Sequence, residues 1–229
     1  MLISHRHRFI FLKTQKTAGT AIEIALRAVL GPDDVITPIS REDERLNRRL
    51  GHPGPRHFRA PLRDYDSADL WRLLSRARLK KRFYNHIPAA RVKELLPAAI
   101  WQSYLKISVE RNPFDKAISS YYWRTRRQRE PLPIDQYLRH CPTGEISNWA
   151  IYSIGDAPIT DVMLRHERLA DDLAALAERL GLGTPLELPR QRPKGAIRQD
   201  RRPWQEVLDA ASQERIRRVC AREIATFYP

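Results

Sequence analysis

Three features of this chain predict an α/β domain with a largely parallel sheet. Short apolar runs alternate with stretches of helical spacing. A strand feeds directly into a helix twice, over residues 9–31 and 104–122. No long uncharged apolar run breaks the pattern.

Phe9-Ile10-Phe11-Leu12, four consecutive apolar residues, read as a buried strand. After a loop, Ile22, Ala25, Leu26 and Val29 recur at helical spacing, and Gly31-Pro32 ends the run. Residues 40–82 are charge-rich and broken at Gly51–Pro55. They read as loops and short helices over the site, a lid or acceptor-binding insertion, with one helix marked by Leu70, Leu73 and Leu74. Residues 84–88 read as a loop, and Val92, Leu95 and Leu96 as a helix interrupted at Pro97. Leu105, Ile107 and Val109 alternate as in a strand. Asn112 is a good N-cap with Pro113 at the first helical position, where its missing N–H costs nothing. Val162–Leu164 read as a strand. Leu169, Leu173, Leu176 and Leu180 read as a helix ending at Gly181, and Ile216, Val219, Cys220, Ile224 and Phe227 as a C-terminal helix.

The 229 residues suit a single domain over residues 1–229, and a mean hydropathy of -0.55 predicts a soluble protein without a membrane span. The basic N-terminus resembles a signal peptide only superficially, because its apolar part is Phe9–Leu12 and Lys13 interrupts it. Cys141 and Cys220 offer neither metal-ligand spacing nor a disulfide framework, so a cytoplasmic, reducing setting and no metal are expected. Lys and Arg total 41 against 27 Asp and Glu, a net charge of +14, which favours anionic partners: a nucleotide, an acidic substrate, nucleic acid or an anionic membrane surface.

The two strand-to-helix junctions carry the chemistry. In Lys16-Thr17-Ala18-Gly19-Thr20-Ala21 the unpaired N–H groups of a helix start and the helix dipole favour an anion. Lys16 adds charge, Thr17 and Thr20 add hydroxyls, and Gly19 lets backbone come close to the ligand. A Walker loop places its lysine after the glycine, whereas Lys16 precedes Gly19 here, so an ordinary ATP or GTP loop is a poor match. The plain alternative is a strand–turn–helix with a surface lysine. At the second junction Arg111 can fork two donors onto a phosphate, and Ser119 lies about two helical turns further on. Alternatively, Arg111 pairs with a carboxylate and Ser119 only packs.

Taken together, K-T-x-G-T after a first strand and R-N-P-F-D-K-x-x-S-x-Y-Y resemble the sulfotransferases that use 3′-phosphoadenosine-5′-phosphosulfate (PAPS), closest to the carbohydrate sulfotransferase branch and its soluble bacterial relatives. The resemblance implies a three-layer, P-loop-like sulfotransferase fold with a central, mainly parallel sheet flanked by helices. It implies PAPS as co-substrate, Lys16, Thr17, Ala18, Gly19, Thr20 and Ala21 around the 5′-phosphosulfate, and Arg111 and Ser119 on the 3′-phosphate. His86-Ile87-Pro88-Ala89, Arg165-His166-Glu167-Arg168-Leu169 and Pro193-Lys194-Gly195 extend the likeness, the last giving Lys194 and Gly195 a place over the 3′-phosphate. Gln15 stands where many relatives have proline, and Ala21 where serine is common.

Sulfuryl transfer needs in-line geometry and charge stabilisation, which Lys16 and the loop N–H groups would supply. The acceptor hydroxyl needs a base. His86 is the candidate, with Glu23 and Glu110 as alternatives that would repel the donor unless paired. The resemblance implies a sugar hydroxyl on a glycan or glycolipid as acceptor and no nucleic-acid partner. The competing readings are a P-loop nucleotide kinase or NTPase, and a non-catalytic basic polyanion-binding protein.

Overall fold

The computed structural model describes residues 1–77, 79–190, 197–198 and 200–229. Seven strands are present among them: β1 (Leu2–Ser4), β2 (Phe9–Leu12), β3 (Val35–Ile36), β4 (Leu105–Glu110), β5 (Ser153–Ile154), β6 (Ala157–Pro158) and β7 (Val162–Arg165). Five form the central sheet in the order β3-β1-β2-β4-β7, and β5 and β6 make a separate hairpin. The β2–β4 and β4–β7 pairs are parallel, and β1 is antiparallel to both β2 and β3. Four of the five strands therefore run one way and β1 runs against them.

The helices are α1 (Gly19–Arg27), α2 (Arg41–Arg49), α3 (Ser67–Arg76), α4 (Ala89–Leu95), α5 (Ala98–Ser103), α6 (Pro113–Thr125), α7 (Ile134–His140), α8 (Trp149–Tyr152), α9 (Leu169–Arg179), α10 (Trp204–Val207), α11 (Ala210–Val219) and α12 (Ala221–Phe227). Their ends follow local chemistry. Asn112 Oδ1 accepts from the N–H groups of Phe114 (3.0 Å) and Asp115 (3.4 Å), with Pro113 in the first turn of α6. Ser40 caps α2, whose first turn is acidic and last turn basic, as the helix dipole favours. Pro97 separates α4 from α5.

Alternation along the strands divides the core between the two faces of the sheet. Phe9, Phe11, Ile107 and Val109 pack on one side with Ile22 and Leu26 of α1 and Leu173 and Leu176 of α9. Ile10 and Leu12 face the other side with Val92 of α4 and Trp149 and Tyr152 of α8. A third cluster joins Phe114, Ala117 and Ile118 of α6 to Leu138 of α7 and Ile216 of α11.

The connections define where a ligand can bind. From β2 the chain passes through α1, on one face, to the β3 edge. From β4 it passes through α8, on the opposite face, to β7 at the other edge. The winding thus reverses between β2 and β4. At such a switch point the loops beyond the carboxyl ends of neighbouring strands part and leave a crevice. Both strand-to-helix junctions singled out in the sequence leave from those two strand ends.

The structure adds α7, α8, α10 and the β5–β6 hairpin, none of which the sequence reading assigned, and it departs from that reading elsewhere too. Leu2–Ser4 is a fully buried strand, so Phe9–Leu12 is the second strand of the sheet. Val35–Ile36 forms a two-residue edge strand that gave no pattern. The C-terminal helix is two helices, because Cys220 leaves helical geometry at φ -103, ψ 23.

Candidate active site

The first junction is a loop braced from below. Thr14 Oγ1 donates to Val109 O at 2.5 Å, so Thr17 Oγ1, 2.7 Å away, donates to Thr14 in turn. Thr17 is fully buried and braces Thr14, whose hydroxyl fixes the loop to the end of β4. Gln15 and Asn148 exchange two hydrogen bonds of 3.0 Å, Gln15 N–H to Asn148 Oδ1 and Asn148 Nδ2 to Gln15 O. A proline at position 15 could not donate the first of these. Asn148 thereby restrains the loop. Gly19 is needed for packing: a Cβ there would lie 3.0 Å from Lys13 Cγ and 3.2 Å from Thr14 O.

The upper side of the loop presents donors. Lys16 and Ala18 both take the left-handed conformation, φ 61, which non-glycine residues adopt at a cost and which concentrates at functional sites. α1 starts at Ala18 with no side-chain cap and no acidic residue in its first turn. Ala18 O accepts from Ala21 N–H (2.9 Å) and Ile22 N–H (3.2 Å). Among the described residues, none accepts from the N–H groups of Thr17, Ala18, Gly19 or Thr20. Uncapped amides at a helix start, with a lysine beside them, form an anion-binding constellation. Thr20 and Ala21 are half-buried on the first turn.

The second junction lies alongside, because Leu12 pairs with Ser108 in parallel register. Arg111 follows β4, half-buried. Burial lowers its pKa, nearby Asp115 opposes the shift and Arg198 adds to it, and the guanidinium remains charged at neutral pH. Among the described residues, no carboxylate bonds the Arg111 guanidinium; Arg198 instead pairs with Asp115 at 2.6 Å. Glu167 also lies close enough to act on Arg111, so two guanidinium groups stand among two carboxylates, and among the described residues the Arg111 guanidinium is bonded to neither. Ser119 is half-buried, and Asp115, Ser119 and Trp123 follow at successive turns of α6 on one face. Lys16 Nζ stands 4.7 Å from the centre of the Trp123 ring. The lysine of the first junction thus meets helix α6 of the second at Trp123, one turn beyond Ser119. Trp123 was detectable in the sequence, four residues beyond Ser119, whereas Asn148 and Arg198 gave no local signal. Lys194 and Gly195 lie outside the described residues.

His86 is the third left-handed residue here, φ 61. Its Nδ1 lies 3.0 Å from Lys13 O, the root of the loop. A carbonyl can only accept, so Nδ1 carries the proton and Nε2 the lone pair. Burial, then the charge of Lys13, push the His86 pKa down to about 4, so the ring is neutral at pH 7. Neither alternative base is available. Glu23 is fully buried with Lys13 at 2.9 Å and Arg27 at 2.9 Å; burial would raise its pKa, but Lys13, the Met1 ammonium and Arg27 hold it at about 2. Glu110 is fully buried and accepts from Arg111 N–H (2.9 Å), Lys116 Nζ (2.9 Å), Asn148 Nδ2 (3.5 Å) and Tyr152 OH (2.8 Å).

A cavity of about 390 Å³, lined by Asn112, Arg165, Glu167, Arg168 and Tyr228, opens next to the second junction, and no residue of the 13–21 loop lines it. No protein-family model, curated protein or solved structure matches the chain.

Two predictions follow from the buried groups. Glu110→Ala strands Lys116 in the core and should cost about 3–5 kcal/mol in chemical denaturation, while Glu110→Leu combined with Lys116→Met should recover part of that loss. A cost below about 1 kcal/mol for the single variant would contradict the anchoring role. For His86, the folded pKa lies below the unfolded value of 6.5, so the unfolded chain binds more protons between pH 6.5 and about 4. Stability should therefore fall as pH drops through that window. His86→Asn should flatten the slope, and NMR titration should find the ring neutral down to about pH 4.

Proposed function

We propose that this chain is a PAPS-dependent sulfotransferase with a three-layer, P-loop-like fold, acting on an acceptor hydroxyl of a carbohydrate, on a glycan or glycolipid. The observation that carries the reading is the placement of Lys16 Nζ over Trp123, one turn beyond Ser119, at the switch point between β2 and β4. Two junctions that resemble the two phosphate-binding segments of that family leave from the ends of adjacent parallel strands, β2 and β4.

The donor supplies an activated sulfuryl group and a bisphosphate leaving group. Lys16 and the N–H groups of residues 17–20 hold the 5′-phosphate side and neutralise the charge that grows there as the sulfur–oxygen bond breaks, in the manner of an oxyanion hole. Arg111 and Ser119 hold the 3′-phosphate, with Arg198 adding charge nearby. Neutral His86 takes the acceptor's proton at Nε2 as the new oxygen–sulfur bond forms. Its low pKa in the free protein reflects burial beside Lys13, and a bound polyanion would raise it toward the range useful for a base. The buried hydroxyl of Thr17 acts through the loop's shape.

The test is transfer of labelled sulfuryl from PAPS to a panel of sugar, phenol and peptide-tyrosine hydroxyls. Lys16→Ala should lower kcat about 100-fold or more. Arg111→Ala should raise the donor KM at least roughly 10-fold with a smaller effect on kcat. His86→Ala should remove turnover by about 100-fold or more while leaving affinity for adenosine 3′,5′-bisphosphate within about two-fold. Near-normal turnover in His86→Ala would overturn the base assignment. No transfer to any hydroxyl, together with no binding of the bisphosphate, would overturn the whole reading.

A further inference from the structure

α3 meets the rest of the protein through Asp69 and half-buried Leu73 and leaves most of its apolar side in solvent. Leu70, Leu73 and Leu74 fall at helical spacing with Trp71 at their margin, and Asp69, Arg72 and Arg76 occupy the other side. In a globular fold the leucine face would turn inward. Here Asp69 is the buried residue of the helix, while Leu74 is 86% exposed and Trp71 60%. Leu62, in the turn just before, is 66% exposed and enlarges the patch. Asp69 ties the helix to the protein. Asp69 pairs with Lys80 at 2.5 Å and with Arg72 at 3.2 Å, and the Tyr65 hydroxyl accepts from Lys80 N–H at 2.8 Å. An Asp66–Asp69 capping box fixes the start of the helix. The outward apolar face is thus held in place by its own polar anchors.

Charge decides what covers that face. Between residues 56 and 82 the sequence carries nine Lys and Arg against three Asp. Arg63 and Arg72 are exposed at the margin of the patch, and Arg76 lies 5.6 Å from the centre of the Trp71 ring. A second copy of the chain docking symmetrically would bring this basic surface against itself. A surface that is anionic and apolar within one side chain's depth satisfies both properties. Leucine and tryptophan side chains enter the acyl boundary while arginines stay at the headgroups.

We infer that α3 and the turn at Leu62 form a docking surface for an anionic lipid bilayer, lying in its interface. No helix among the described residues is long and apolar enough to cross a membrane, so the contact is peripheral. The inference stands apart from the transferase reading and uses none of its residues.

The experiment is co-sedimentation of the full chain with vesicles of phosphatidylcholine alone and of phosphatidylcholine with about one-third phosphatidylglycerol. The chain should bind the anionic vesicles at least roughly 10-fold more tightly than the neutral ones, and added salt should weaken binding. Trp71→Ala combined with Leu74→Glu changes two exposed side chains, so the fold should persist by circular dichroism and anionic-vesicle affinity should drop at least about 10-fold. Equal binding by the variant would show a charge-only contact elsewhere and overturn the assignment. Failure of the unmodified chain to bind anionic vesicles would overturn it too. Self-association that Leu74→Glu abolishes, in a chain that ignores vesicles, would give the face to a second copy.

Discussion

The Glu110 carboxylate is the constraint on which the candidate site depends. It sits fully buried at the end of β4 and holds four groups from three parts of the chain: the N–H of Arg111, the ammonium of Lys116 on α6, the Tyr152 hydroxyl on α8, and Asn148 just ahead of α8. Asn148 then reaches across to Gln15. One buried charge therefore sets the direction in which Arg111 leaves its strand, while Asn148, whose own N–H is held by Glu223 at 3.2 Å, carries a restraint on to the loop after β2. A paired buried carboxylate contributes little net stability compared with an apolar replacement, but removing one partner is costly, so the geometry it enforces is held firmly. The same pairing takes Glu110 out of contention as a base and leaves a charge-neutral platform beneath a basic crevice.

Above that platform the chain accepts local strain. Lys16, Ala18 and His86 are three of the six non-glycine residues with positive φ among the described residues, and all three are at the site. Each is held by neighbours: the loop by Thr14, Thr17 and Asn148, and His86 by its bond to Lys13 O. What the strain achieves is direction. Amides from Thr17 to Thr20 face away from protein acceptors, and the histidine lone pair is left on Nε2. Helix α6 starts with a cap and an acidic first turn, whereas α1 starts with neither, so of the two helix starts the first has its donors left for a ligand.

Much of this was legible in the chain because it is local. Asn112-Pro113 announced the start of α6, Phe9–Leu12 and Leu105–Val109 announced strands, and Leu70, Leu73 and Leu74 announced α3. What the sequence hid is tertiary. Leu2–Ser4 is too short to carry a period, and the basic turn after it looks like a lead-in. The split at Cys220 leaves the helical spacing of apolar residues intact on both sides. Asn148 touches residues 133 positions away, and no motif around it says so. The outward leucine face of α3 was hidden too, because periodicity reveals that a helix has an apolar side but not which way that side turns.

In the proposed function the two junctions grip one ligand at two ends. Calorimetric titration with adenosine 3′,5′-bisphosphate and with adenosine 5′-monophosphate tests it most directly. Lys16→Ala should weaken both nucleotides, while Arg111→Ala should weaken the bisphosphate at least about 10-fold and leave the monophosphate almost unchanged. If Arg111→Ala weakened both nucleotides equally, or neither, the two junctions would not share a ligand in the way described.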